Sequence, residues 1–384
     1  MSKARLVSFL LLALSGLLVG CDSEGGGDDS PAPTPPAMGE PRPFYMGFTP
    51  WPYDSTLDAL NTTYSLIQDN GDLVAHHITE GIPWQEAFTG APYPNDLVNE
   101  INGRLNQTRN EKVVYLALDS LSILRETLVG NWGENGQEDR PFPWNLRGFN
   151  NPEVITAYSN FALDLIEQFN PAYFNYATEA NELLLRNPGQ FENFLVFAEG
   201  VYNNIKARYP DLPVMISIAM KSPGTVEANL FAEQFSRLAP YVDILGLSVY
   251  PYAFYLPDDG ATPASLPSNW LTQVRDFAPN KPLAITETGW TAQNLNLPEF
   301  SISIQSSEAT QAEYLRRLMA EAQAIDAEFV VWWSSVDYDA FWNGVLGQTQ
   351  LTAIWRDIGL FDPSTQPRQA LTDWQENFQR PYQP

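Results

Sequence analysis

Two glutamates, Glu179 and Glu287, stand at the ends of short apolar segments in distant parts of the chain. The first segment reads YFNYATE (173–179) and the second reads LAITE (283–287). Burial of an ionised carboxylate is costly, so an acid in this position needs a structural or a chemical reason. If the fold brings two such acids together, they can act as the nucleophile and the proton donor of one reaction. A third glutamate, Glu182, follows the first segment and is the alternative to Glu179.

Eight short apolar or β-branched segments recur from Phe44 onward, separated by amphipathic stretches. The predicted strands are Phe44–Phe48, Leu73–His77, Val113–Leu118, Tyr173–Ala177, Val214–Ala219, Ile244–Val249, Leu283–Thr286 and Phe329–Trp333. Between two of them, Asn151 and Pro152 are suited to the cap and the first position of a helix. Further helices are predicted at 58–67, 188–208, 226–238 and 310–325. Eight buried strands alternating with helices favour a single (β/α)8 (TIM) barrel over an open doubly wound sheet.

The active sites of such barrels lie at the carboxyl ends of the strands. Alternate residues of a strand share one face, so both glutamates point toward the barrel axis if each strand keeps its pleat to the end. The two sets of equal parity are Tyr173, Asn175, Ala177 and Glu179 on the fourth strand, and Leu283, Ile285 and Glu287 on the seventh. Two carboxylates meeting across a barrel mouth are the arrangement that hydrolyses glycosidic bonds. The long segment 120–150 is predicted to be an insertion over this mouth.

Histidines and tryptophans supply the predicted substrate contacts. His76 and His77 are adjacent, so they point to opposite faces of the second strand, and one of them is expected to bind a sugar hydroxyl. A metal site needs three or more converging ligands, and none is predicted here. Aromatic rings can cover the apolar face of a pyranose. The tryptophans near predicted strand ends include Trp51, Trp84, Trp290, Trp332 and Trp333. We expect Trp332 or Trp333, together with Trp51 or Trp84, to line a saccharide cleft.

Two phrases, DILGLSVYPY (243–252) and LAITETGW (283–290), resemble the endo-β-1,4-galactanase family of the clan A retaining glycoside hydrolases and its uncharacterised relatives. The resemblance implies that Glu287 is the nucleophile and that a glutamate on the fourth strand is the acid/base. It also implies that Tyr250 hydrogen-bonds the nucleophile.

The fourth strand departs from the clan pattern at one position. The clan has Asn directly before the acid/base, and this chain has Thr178 there. Glu179 keeps the Glu-x-Asn spacing to Asn181, a further predicted substrate contact, whereas Asn181-Glu182 matches the Asn-Glu dipeptide three residues later. We favour Glu179 because it has the inward parity. Thr178 calls the usual contact to the sugar 2-hydroxyl into question, and it keeps open a second interpretation in which the barrel binds carbohydrate without hydrolysing it.

The N-terminus has the pattern of a targeting segment. A short basic start precedes an apolar run, 7–20, that is too short for an ordinary membrane span and ends in Leu-Val-Gly-Cys. This ending resembles the bacterial lipoprotein signal, with Cys21, the only cysteine, as the acceptor of lipid, including palmitate. The predicted organisation is a signal peptide at 1–20, a flexible Gly-, Pro- and acid-rich linker at 21–43, and a catalytic barrel at 44–384. The predicted location is the bacterial cell envelope, on the inner or the outer membrane.

The formal net charge of -25 bears on the partners. A polyanion of this kind repels nucleic acid and anionic surfaces, so a neutral glycan is favoured as the partner. The sequence therefore predicts a monomeric, lipid-anchored retaining glycoside hydrolase. It would act on neutral β-linked oligo- or polysaccharides through two glutamates and need no cofactor.

Overall fold

Eight parallel strands close into a barrel in the computed structural model, which describes residues 40–384 except Glu80, residues 109–110 and Asn135. The barrel strands are β1 (Tyr45–Phe48), β2 (Leu73–Ile78), β3 (Val113–Leu118), β4 (Tyr173–Asn175), β5 (Val214–Ala219), β6 (Ile244–Val249), β7 (Leu283–Thr288) and β8 (Ala327–Trp332). Strands consecutive in the chain are neighbours, and β8 pairs with β1 to close the ring. The predicted (β/α)8 barrel is confirmed.

Helices surround the barrel. They are α1 (Leu57–Asn70), α2 (Trp84–Thr89), α3 (Asn95–Gln107), α4 (Pro152–Phe169), α5 (Ala180–Arg186), α6 (Phe191–Arg208), α7 (Val226–Leu238), α8 (Pro251–Phe254), α9 (Pro257–Gly260), α10 (Glu308–Ala324), α11 (Asp339–Gly344), α12 (Gln350–Ala353) and α13 (Gln369–Phe378). Single 3-10 turns lie at Trp144–Leu146, Pro188–Gln190, Ala239–Tyr241, Pro263–Ser265, Thr272–Asp276 and Pro298–Phe300. As predicted, Asn151 caps α4, since its side chain accepts a 2.9 Å hydrogen bond from the Glu153 N–H.

Two apolar clusters form the core. The smaller one fills the inside of the barrel with Leu73, Ala75, Tyr115, Ala117, Tyr173, Met215, Ile244, Ala284, Phe329 and Val331. The larger cluster joins the outer faces of the strands to the surrounding helices. This division shows which face of each strand points to the barrel axis, and therefore which strand-end residues can reach the mouth.

The predicted pleat of the seventh strand is wrong. Leu283 and Ile285 pack in the outer cluster, whereas Ala284 lies inside the barrel. The pairing of β6 with β7 then shifts by one residue, because Leu247 lies opposite Ile285 but Ser248 lies opposite Glu287. This bulge reverses the alternation of side chains. Glu287 therefore reaches the inner face because of an irregularity in the strand and not because of a regular pleat.

Segment 120–150 carries structure of its own. It contains a hairpin of Asn131–Gly133 with Gly136–Glu138, and a similar hairpin of Leu295–Leu297 with Ile302–Ile304 follows β7. Its Trp144 is buried and stacks on Trp84, with ring centroids 5.9 Å apart. The segment therefore packs as part of the fold.

The predicted signal peptide, Cys21 and nearly all of the linker lie outside the described residues. The last linker residues are described and are part of the fold, since Arg42 is buried and its N–H donates a 2.9 Å hydrogen bond to the Pro381 carbonyl. Within the part of the chain that the structure describes, no helix is long and apolar enough to cross a membrane.

Candidate active site

Glu179 lies just beyond β4, at the start of α5. Its backbone adopts the left-handed conformation (φ 54°, ψ 44°), which is uncommon for a residue with a side chain. The Ser217 hydroxyl of β5 accepts a 3.1 Å hydrogen bond from its N–H, and the Ser248 hydroxyl of β6 donates a 2.8 Å bond to its Oε1. Contacts from two neighbouring strands thus hold this 3% exposed side chain.

Glu287 lies near the end of β7 and is 1% exposed. Its Oε1 is 3.7 Å from Nδ1 of His77, and its Oε2 has no hydrogen-bond partner among the described residues. Ser248 links the two glutamates, because it is the register partner of Glu287 while its hydroxyl bonds Glu179. The structure therefore brings the two predicted acids together at the carboxyl end of the barrel.

The pKa of each of these carboxyls is raised. Burial is the largest cause for both, and the negative charge of Glu179 raises the pKa of Glu287 further. The cation of Arg125 opposes the rise at both carboxyls, and the Ser248 hydrogen bond opposes it at Glu179. Since two buried carboxylates repel each other, the pair favours a state in which one proton is shared between them.

Tyr250 follows β6 and is buried beside the pair. Its hydroxyl approaches Glu287 closely enough to oppose the rise in the pKa of that carboxyl, but the contact falls short of standard hydrogen-bond geometry. The predicted position next to Glu287 is therefore found, without a fully formed hydrogen bond.

Arg125 is a site residue that the sequence analysis missed. It lies in segment 120–150, and its Nη1 donates a 3.0 Å bond to Oδ2 of Asp119 at the end of β3. Its Nε lies 3.4 Å from Oε2 of Glu179. Asp119 Oδ1 also accepts a 3.2 Å bond from the N–H of Thr178. The only signal in the sequence was a basic residue six positions after a strand-end Asp.

Glu182 does not fit the role of proton donor. Its carboxylate is paired with Lys221 at 2.7 Å and with Arg186 at 3.0 Å. Burial favours its neutral form, but these two cations outweigh burial, and the pKa of Glu182 is lowered. The lowered pKa keeps Glu182 ionised, whereas the raised pKa of Glu179 favours its protonated form, so Glu179 fits the role of proton donor better.

The two histidines point to opposite sides of β2, as predicted. His77 faces the barrel axis, and burial is the main cause that lowers its pKa to about 3, so it is neutral. Neither of its ring nitrogens has a hydrogen-bond partner among the described residues. His76 is not the one that can contact substrate, because this ring lies between barrel and helices, with Nε2 2.8 Å from Oγ1 of Thr108.

Two of the predicted tryptophans, Trp333 and Trp51, lie near His77. Trp333 is 4% exposed, and its ring centroid lies 5.1 Å from that of His77. Trp51 lies next to it at 6.5 Å. His77 in turn lies 3.7 Å from Glu287, so both tryptophans belong to the residues around the barrel mouth.

The other three tryptophans are structural. Of the predicted alternatives for the cleft, Trp84 and Trp332 are therefore excluded, and so is a contact from Trp290. All three are 0% exposed, and each indole N–H donates to a protein oxygen. The bonds are Trp84 to the Gly130 carbonyl at 2.9 Å, Trp290 to Ser306 Oγ at 3.1 Å, and Trp332 to the Ile358 carbonyl at 2.7 Å.

Asn181 is also structural. Its side chain lies on α5 and makes two bonds to the backbone of Ala219, donating at 2.9 Å and accepting at 2.8 Å. Because both ends of the amide are occupied, the predicted contact of Asn181 with substrate is wrong. The residue instead ties α5 to the end of β5.

One acidic cluster among the described residues has the spacing of metal ligands. Carboxylate oxygens of Asp337, Asp339 and Asp357 lie within 4.8 Å of one another. Arg368 pairs with Asp337, and Arg356 pairs with Asp357 at 2.7 Å. These two guanidinium groups already offset most of the negative charge, so the cluster is explained as a buried ion-pair network.

No protein-family model matches the sequence, and no curated protein has a significantly similar sequence. Solved structures do share the fold. The GH53 catalytic domain of Ignisphaera aggregans matches 92% of this chain and 100% of its own length, with a TM-score of 0.58 and 16% identity. A fungal β-1,4-galactanase matches 83% of this chain and 90% of its own length, with a TM-score of 0.54 and 15% identity. An exo-β-1,4-mannosidase of Opitutaceae bacterium strain TAV5 matches 90% of this chain and 62% of its own length, with a TM-score of 0.58 and 13% identity. The chain thus shares its fold with galactanases, as the motif resemblance predicts.

Proposed function

We propose that this protein is a retaining glycoside hydrolase that acts on neutral β-linked oligo- or polysaccharides. One observation carries the proposal. Glu179 and Glu287, from strands β4 and β7, meet at the carboxyl end of the barrel with raised pKa values and with Ser248 between them. The strand-end phrases that resemble galactanases and the fold shared with β-1,4-galactanases support it.

In the proposed mechanism, the ionised Glu287 attacks the anomeric carbon and the protonated Glu179 gives its proton to the departing glycosidic oxygen. The C–O bond to the leaving sugar breaks as the bond to Glu287 forms. Glu179, now ionised, takes a proton from water, and the resulting hydroxide displaces Glu287. Two inversions at the same carbon leave its configuration unchanged.

The shared proton must reside on Glu179 when the bond breaks. A bound glycoside favours this, because positive charge developing at the anomeric carbon stabilises the ionised form of Glu287 beneath it. Tyr250 also favours the ionised form of Glu287, whereas Arg125 favours the ionised form of both glutamates. His77 stays neutral and can exchange a hydrogen bond with a sugar hydroxyl, and Trp333 offers an apolar ring face.

We also propose that the protein is a monomer anchored to the cell envelope by lipid at Cys21, with a linker that lets the barrel reach a bulky substrate. The lipoprotein-like ending at 18–21 and the Gly- and Pro-rich residues that follow support this arrangement. The net charge of -25 supports a neutral glycan over a uronate or sulfated one.

Incubation of the full chain with β-1,4-galactan, β-1,4-mannan and 4-nitrophenyl β-glycosides tests the function. We expect new reducing ends or released nitrophenol with at least one β-linked substrate, and none with the matching 4-nitrophenyl α-glycosides. Retention of oligosaccharide without any bond cleavage would instead favour the carbohydrate-binding alternative that Thr178 raised. Absence of both binding and cleavage across the panel would contradict the proposal.

A further inference from the structure

A tight loop at the start of segment 120–150 holds Arg125 against the candidate active site. Leu121 and Leu128 bridge its two ends, and the N–H of Arg125 donates a 2.8 Å bond to the Ser122 carbonyl. Arg125 itself adopts a left-handed backbone (φ 57°). Because residues other than glycine rarely take this conformation, the surrounding structure must hold the residue there.

The same loop is bonded to the end of α5, the helix that begins directly after Glu179. The side chain of Asn187, which follows α5, donates a 2.9 Å bond to the Glu126 carbonyl of the loop. The loop thus contacts the far end of α5, while the side chain of Arg125 contacts its beginning. These two contacts fix the position of the Arg125 guanidinium relative to the Glu179 carboxyl.

Buried charges form a chain from β3 to Glu179. Asp119 accepts from Arg125 with Oδ2 and from the N–H of Thr178 with Oδ1. Asp119 therefore orients both the guanidinium and the backbone directly before Glu179. The negative charges of Asp119 and Glu179 outweigh the burial of Arg125 and keep it protonated. A buried guanidinium would be costly without this carboxylate partner.

We propose that Arg125 and Asp119 form a charge-compensated clamp that positions the Glu179 carboxyl for proton transfer. Both are positioning residues that act through Glu179, and the inference rests on the proposed hydrolase function. Thr178 cannot supply a side-chain amide, and its own hydroxyl has no hydrogen-bond partner among the described residues. The clamp instead acts on the backbone N–H of Thr178 and on the carboxyl that follows.

The clamp has a consequence for pH dependence. The charged or titratable groups that act on Glu179 are Arg125, Glu182, Lys221 and Glu287. Those that face Glu287 are Glu179, Arg125, Asp119, Tyr250 and His77. Arg125 lowers the pKa of both active-site glutamates, and Asp119 raises that of Glu287. Since activity needs Glu287 ionised and Glu179 protonated, the two titration steps of the pair set the acidic and alkaline limbs of kcat/KM.

Loss of the Arg125 cation and loss of its counter-ion Asp119 must therefore move the pH profile of kcat/KM in opposite directions. In Arg125→Gln, both carboxylates lose a stabilising charge, so we expect both limbs to move up by roughly one pH unit. In Asp119→Asn, Arg125 is freed from its partner, so we expect both limbs to move down by roughly half a unit. Arg125→Lys keeps the charge and should stay near the wild-type profile, and the double variant Asp119→Asn with Arg125→Gln should return toward it.

A purely structural role would lower kcat and the melting temperature of the variants without shifting the limbs, and that result would overturn the clamp while leaving the hydrolase function standing. If the wild type hydrolyses no substrate, the proposed function fails separately. The clamp is then tested by NMR titration of protein labelled with 13C at the glutamate carboxyls. Higher pKa values of the two buried carboxyls in Arg125→Gln than in the wild type support the clamp, and unchanged pKa values contradict it.

Discussion

Replacement of Glu287 by Gln is expected to abolish hydrolysis and to leave the fold intact. The amide has nearly the same shape but cannot attack the anomeric carbon, so we expect kcat/KM to fall by at least about four orders of magnitude. Stability should not fall. The pKa of Glu287 is raised, so its ionisation disfavours the folded state as the pH rises, and a neutral side chain removes that cost at pH 7.

Glu321→Gln is the matched control for this variant. Glu321 is a glutamate on α10 that is also buried and has a raised pKa, but it lies away from the strand ends. The control should keep wild-type turnover, as measured with the most active aryl β-glycoside, and circular dichroism should show the same fold in both variants. Normal turnover by Glu287→Gln would remove the proposed nucleophile.

Replacement of Glu179 by Ala is expected to separate substrates by their leaving groups. A sugar or alkoxide leaves only with proton assistance, so we expect its hydrolysis to slow by about 10²–10⁴-fold. A 2,4-dinitrophenolate leaves without a proton, so formation of the glycosyl-enzyme from such a substrate should be much less affected. Rates for a series of aryl β-glycosides, plotted against the pKa of the phenol, measure the difference as a steeper slope in the variant.

Glu182→Ala is the comparison for this experiment. Because Glu182 is ionised and paired with Lys221 and Arg186, its loss should take a buried carboxylate away from two cations and lower the melting temperature. It should not steepen the dependence on the leaving group. The opposite pattern, a steep slope for Glu182→Ala and a flat one for Glu179→Ala, would mean that the acid/base lies on α5.

Much of the barrel was predictable because each element carries its own signal. The predicted strands at 113–118, 214–219 and 244–249 agree with the observed bounds, since each is a largely apolar segment that begins directly after Lys112, Pro213 or Asp243. Helix α4 was predictable from its capping Asn151 and the Pro at its first position. Strand β4 ends two residues earlier than predicted, because the chain turns at Thr178 to bring Glu179 into the left-handed conformation.

The site was predictable only in part, because its remaining features depend on tertiary contacts. The bulge near Glu287 arises from the pairing of β6 with β7, so regular parity gave the right direction for the wrong reason. Trp332 and Trp333 are adjacent and chemically alike, yet only one faces the axis. Arg125 comes from a loop without any local motif. Its role emerges only when Asp119 and Glu179 are close in space.

Trapping of the covalent intermediate tests the central claim most directly. The probe is the 2-deoxy-2-fluoro analogue of whichever 2,4-dinitrophenyl β-glycoside the protein hydrolyses. Fluorine slows both displacements, whereas the activated leaving group restores the rate of the first, so the glycosyl-enzyme accumulates. Peptide mass spectrometry of the inactivated protein should find one fluoroglycosyl group, attached to Glu287. A label on another residue would contradict the two-glutamate account. So would hydrolysis of the β-glycoside with inversion at the anomeric carbon and no trapped adduct.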